Sequence, residues 1–225
     1  MKRMKGWMAV IVFSANLMMA TSATADLIYN NMGTSGAAYS LTGGVAVYGN
    51  STYQAAAVAF TPSGSFTLSQ LTVPLKLWDT AYVADSRVDL VTDSSGKPGT
   101  SVLESWIITS LSPPTAPAFY LQTFTSTGST QLLSGTKYWV EITPTDTTTS
   151  FPWTKILWLV STVSTVESGN FATKSPSSGT WTIVSNGNNV PGLTVEGTPV
   201  PIPAAAWLLG SGLVGLVGLR RRFKK

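Results

Sequence analysis

A chain of 225 residues is long enough for one ordinary domain plus targeting segments. Only 11% of it is charged, and it contains no Cys and no His; that excludes disulfides, thiol and Ser-His-Asp chemistry, and metal sites built from His or Cys. The formal charge of +4 comes from the two ends: without Lys2, Arg3, Lys5, Arg220, Arg221, Arg222, Lys224 and Lys225, residues 6–219 carry −4. A mildly acidic body without a basic, aromatic-interleaved patch excludes nucleic acid as a partner.

The first segment, MKRMKGWMAVIVFSANLMMATSATADL, has a basic start, an apolar stretch from Trp7 to Met19 and small residues at Ala23 and Ala25. That order predicts a secretory signal helix over residues 1–25, cleaved by signal peptidase after Ala25 following export by the Sec machinery. The apolar part is short for a membrane span.

Beyond Asp26 no helical period recurs. Runs rich in β-branched and aromatic residues alternate with Gly, Pro, Asn and Ser, and they predict strands at 44–49, 53–61, 66–78, 86–93, 100–109, 118–124, 136–143, 155–161, 180–185 and 192–197. The Ala-rich run 55–59 also suits a short helix, but its β-branched and aromatic neighbours favour a strand. Ten short strands with polar turns predict an all-β, jelly-roll-like two-sheet β-sandwich over residues 26–198.

The DSSGKPG stretch at 93–99 reads as a hairpin turn, with Gly96 and Gly99 allowing positive φ and Pro98 fixing its own. Asp85, Asp89 and Asp93 raise the alternative of a calcium loop, although the dense oxygen spacing of a dedicated one is missing. Asn50-Ser51-Thr52 matches a glycosylation acceptor, a pattern common by chance.

Several blocks then acquire a resemblance. LIYNNMG, AAAVAFTPSGSFTLSQLTVPLKL, VDLVTDSSGKPGTSVLESW, LLSGTKYWVEIT and GTWTIVSNGNNVPGLTVEG follow one another across residues 27–197. In order and spacing they resemble the choice-of-anchor R domain. The resemblance implies a bacterial surface location and supplies no chemistry.

Without His or Cys, general acid–base work falls to carboxylates, and the candidates are Asp79, Asp85, Asp89, Glu104, Glu141 and Glu167. No motif selects the spaced pair that a glycosidase requires, so the chain reads as a non-enzyme without cofactor or metal. Carbohydrate binding is the alternative. The body holds Trp78, Trp106, Trp139, Trp153, Trp158, Trp181, Tyr82, Tyr120 and Tyr138, and aromatic faces stack on sugars as readily as they fill cores. Trp153 and Trp158 in SFPWTKILW are the candidate ligand aromatics for an extracellular polysaccharide.

The last segment, residues 199–225, has three parts. Pro199, Pro201 and Pro203 hold the chain extended. Ala204 to Leu219 is sixteen uncharged residues, about 24 Å of helix against a hydrocarbon core of about 30 Å. Gly212, Gly215 and Gly218 thin one side of it, and Ser211 with Gly215 forms a small-xxx-small pair. Arg220, Arg221, Arg222, Lys224 and Lys225 form a cytoplasmic stop by the positive-inside rule. The pattern of Val200, Pro201, Pro203, Ala204, Trp207, Leu208, Ser211, Gly212, Leu213, Gly215 and Leu216 before a basic end resembles a PEP-CTERM sorting signal of the Val-Pro-x-Pro-Ala variant. It departs from the parent motif in reading Pro201-Ile202-Pro203, with no acidic residue, which leaves the matching protease subtype open.

This resemblance implies an exosortase, an integral membrane cysteine transpeptidase, as processing partner. It further implies a Gram-negative host that makes extracellular polysaccharide in biofilms or flocs. The expected route is export, transient anchoring in the inner membrane with the body periplasmic, then display on the cell surface or in the extracellular matrix.

Overall fold

The computed structural model describes residues 24–33, 38–49, 54–77, 85–108, 119–145, 155–163, 170–175, 179–184 and 190–201. Its strands in chain order are β1 (Asp26–Asn30), β2 (Tyr39–Tyr48), β3 (Ala55–Phe60), β4 (Phe66–Leu77), β5 (Ser86–Ser94), β6 (Lys97–Ile108) and β7 (Phe119–Thr125). Then come β8 (Gln131–Leu132), β9 (Tyr138–Pro144), β10 (Lys155–Ser161), β11 (Phe171–Lys174), β12 (Trp181–Ile183) and β13 (Thr194–Pro199). No helix occurs among the described residues, and the expected signal and tail helices lie outside them.

The strands form two antiparallel sheets. Sheet A runs β1-β13-β4-β10-β2, with β7 and β8 also paired to β4, and sheet B runs β12-β11-β3-β9-β5-β6. β4 is the spine of sheet A. One of its edges pairs β13 from Phe66 to Thr72 and then β10 from Leu75 to Leu77, while the other pairs β8 and then β7. Pro74 has no amide hydrogen for a ladder. It falls in the gap where β13 has stopped and β10 has not begun.

A register shift between Glu196 and Gly197 opposite β4 marks a bulge at Ser69. The bulge explains how Leu68 and Leu71, three apart, both enter the core when a regular strand would turn one of them outward. The β5–β6 hairpin closes on Ser95 and Gly96, with φ of 55° and 80°. Two consecutive positive values are what a two-residue hairpin needs to match strand twist. Asp93 Oδ2 caps the turn by accepting the Gly96 amide hydrogen at 2.9 Å.

The main core lies between the sheets. Sheet A contributes Leu68, Leu71, Val73, Leu75, Ile156 and Trp158; sheet B contributes Ala56, Val58, Phe60, Val88, Leu90, Val140 and Ile142. Each fully buried Leu, Ile or Val among these stabilises the fold by about 1.5–3 kcal/mol. The Ala-rich run is strand β3, with every residue from Ala55 to Phe60 buried. Its alternate residues Ala57 and Ala59 belong to a second cluster with Val91, Trp139 and Ala172, packed by Trp181 and Ile183. Strand alternation places that cluster on the face of sheet B turned away from sheet A.

Candidate functional site

The two ends of the described body lie side by side. β1 and β13 are antiparallel neighbours, with Asp26 opposite Gly197. Ala25, the predicted signal-peptidase residue, is exposed immediately before β1; Ala23 is outside the described residues. At the other end the Val200 amide donates to Ser65 O at 2.9 Å, and Pro201 beyond it is exposed. Pro203, Ala204, Trp207, Ser211, Gly212, Gly215, Arg220, Arg221, Arg222, Lys224 and Lys225 lie outside the described residues.

The β1 end is fastened by Asn31, which is 4% exposed. Its Nδ2 donates to Pro191 O at 2.8 Å, its Oδ1 accepts the Leu193 amide at 2.6 Å, and its backbone oxygen accepts from the Ser161 hydroxyl. Both amide groups of one side chain are thus satisfied by the strand entry opposite, a role that nothing in NNMG announces. Gly192 lies beside this contact because a Cβ there would meet Pro74 Cγ at 2.7 Å and Met32 Sδ at 2.9 Å.

Trp158 does not serve as a ligand aromatic. It is 0% exposed, and its Nε1 donates to Gly192 O at 2.7 Å, so both the ring and its polar handle are used inside the core. β10 turns Ile156 and Trp158 toward sheet B, the fate of alternate residues on a half-buried strand. Trp153 is outside the described residues. Trp106 and Trp181 are half-buried and Trp139 fully buried, while the large apolar side chains exposed among the described residues are all aliphatic.

The carboxylates divide into three arrangements. Glu104 turns inward from β6 and accepts from Thr127 N at 2.6 Å, Ser126 Oγ at 2.8 Å and Thr130 Oγ1 at 2.8 Å. Burial alone would raise its carboxyl, but these hydrogen bonds outweigh it and hold the group below its ordinary value. Asp93 accepts Trp139 Nε1 on Oδ1 at 2.7 Å besides capping the turn.

Asp89 and Glu141 form the third arrangement. They are direct cross-strand partners of β5 and β9, and they are 1% and 9% exposed. Asp89 is fully engaged: Oδ2 pairs with Arg87 Nε at 2.6 Å and Oδ1 accepts from Ser105 Oγ at 2.6 Å. No hydrogen-bond donor reaches the Glu141 carboxyl among the described residues. Burial and then the Asp89 charge push its carboxyl up to about 7, with Lys174 and Arg87 pulling partly the other way. Around the pair stand Trp139, with Lys137 Nζ 5.5 Å from its ring, and Trp181, with Lys174 Nζ 5.9 Å from its ring.

Among the six candidate carboxylates these two alone are brought together within the described residues, which exclude Asp79 and Glu167. A glycosidase needs both groups on an open cleft, and these are buried. The calcium alternative finds Asp89 and Asp93 committed to Arg87, Ser105, Gly96 and Trp139. No group of three His, Cys, Asp or Glu among the described residues is placed to hold a metal ion.

A cavity of ≈ 400 Å³ opens instead at the sandwich edge, lined by Gly43, Gly44, Val45, Val160, Phe171, Thr173 and Val184. No carboxylate lines it. No protein-family model matches the chain, and no curated protein matches it.

Proposed function

We propose that the chain is an exported, non-enzymatic protein of the cell surface or extracellular matrix, delivered by its signal segment and sorted by an exosortase acting on its tail. The observation that carries this reading is the pairing of Asp26 with Gly197. Both targeting segments leave the β-body at one end, side by side, as suits a domain that meets the membrane at that end. The tail's proline strip starts where the last strand stops: the Val200 amide makes a hydrogen bond back to Ser65, and Pro201 is exposed for a protease to grip.

The fold within this reading is a jelly roll. It is supported by the strand order β2-β10-β4-β7 facing β3-β9-β5-β6, in which most consecutive strands alternate between sheets.

The test uses the native host. Replacing Pro201 and Pro203 together by Ala removes the extended strip without touching the body. The variant is expected to stay in the membrane fraction with its tail intact, while the unaltered protein leaves it. Identical fractionation of the two proteins would overturn the proposal.

A further inference from the structure

The outer face of sheet B is a small second interior. The sheet curls until Cα atoms of its two edge strands, β12 and β6, lie within 8 Å of each other. The face so enclosed is floored by alanines, with Ala55, Ala57, Ala59 and Ala172 all 0% exposed, and Trp139 at the same depth. Burying alanine needs no hydrogen bonds. Burying a carboxylate does, and Glu141 stands on this face opposite Asp89, nine-tenths buried, with no donor from the described residues.

The charged groups that act on Glu141 are Asp89 and Arg87 from β5 and Lys174 from β11. Arg87 is already paired with Asp89 at 2.6 Å. Lys174 rests its ammonium 5.9 Å from the Trp181 ring. β3 and β12 offer only Ala55, Ala57, Ala59, Trp181 and Ile183 to this face. A largely buried carboxyl that faces a second carboxylate and has no protein donor among the described residues favours its protonated form.

We propose that Glu141 is a proton-operated latch on sheet B. With its carboxyl neutral, Asp89 and Glu141 tolerate each other and β12 stays paired to β11 at the edge of the alanine floor. When the proton leaves for solvent, two like charges face each other across β5 and β9. Lys174 is then drawn from Trp181 toward Glu141, and β12 loses its cation–π contact. β12 is the element that yields, because it is three residues long and pairs only with β11, through Ala172–Ile183, Thr173–Thr182 and Lys174–Trp181. The carboxyl changes state at about 7, so the latch works across neutrality.

Hydrogen exchange of the full chain, read by mass spectrometry on peptides covering residues 170–184, tests this between about pH 5 and about pH 9. After correction for intrinsic exchange, protection of β11 and β12 is expected to fall about tenfold around neutrality. Glu141→Gln should abolish that fall and remain protected throughout. Asp89→Asn should keep it but move its midpoint to lower pH, since the repelling charge is gone. Protection independent of pH in the unaltered protein, or an unchanged midpoint in Glu141→Gln, would overturn the latch. A midpoint that moves with added Ca²⁺ would assign the pair to a cation and overturn it equally.

Discussion

Glu104 and Glu141 are both buried, and they respond to pH in opposite senses because hydrogen bonds from Thr127, Ser126 and Thr130 outweigh burial at Glu104, whereas burial and the facing Asp89 charge prevail at Glu141. The Glu104 carboxyl is held below its ordinary 4.5, so its stabilising effect is complete above that value and fades as pH falls through the lower folded value. Glu104→Gln is expected to lower stability by about 2 kcal/mol at neutral pH, with the difference shrinking in acid. Glu141 is raised from 4.5 to about 7. Its fold is therefore most favoured below 4.5 and loses stability as pH rises through about 7. Holding the carboxyl that high costs the ionised fold roughly 3 kcal/mol. Glu141→Gln should recover most of this at about pH 8 and almost none at about pH 4. Urea unfolding of the two variants across pH checks both signs. At Trp158 the account is one of packing: Trp158→Phe keeps an aromatic ring but orphans Gly192 O, for an expected loss of about 2–3 kcal/mol in the same assay.

At the scale of elements, the β5–β6 turn offers a direct test of backbone strain. Ser95 holds a φ of 55°, which suits Asn better. Ser95→Asn is expected to raise stability by about 0.5 kcal/mol, and Gly96→Ala, forced to a φ of 80°, to lower it by about 1 kcal/mol; thermal unfolding of both reads the result. This turn was legible in the sequence because its chemistry is local. So was β10 at Lys155–Ser161, where an apolar run ends between polar residues. β1, β8 and β11 were not. Asp26–Asn30 lacks a clean alternation and becomes a strand by pairing with β13, while Gln131–Leu132 and Phe171–Lys174 are too short to carry a pattern and exist through β4 and β3. Trp158 misled for a related reason. The predicted strand 155–161 left its facing open, and strand alternation within β10 decides which way it points. The Asp89–Glu141 pair depends on the register of β9 against β5, which no local window records.

For the whole molecule, the net charge of +4 resides in the eight basic residues of the two ends, whereas residues 6–219 carry −4 and the described strands enclose two interiors. Pairing β1 with β13 brings both ends of the described body to one place, the geometry on which the proposed sorting rests. The central claim is tail processing, and the intact mass of the protein recovered from its host tests it most directly. The account predicts a chain that begins at Asp26 and has lost the basic end, terminating near the Pro201–Pro203 strip. A mature chain still ending at Lys225 would contradict it.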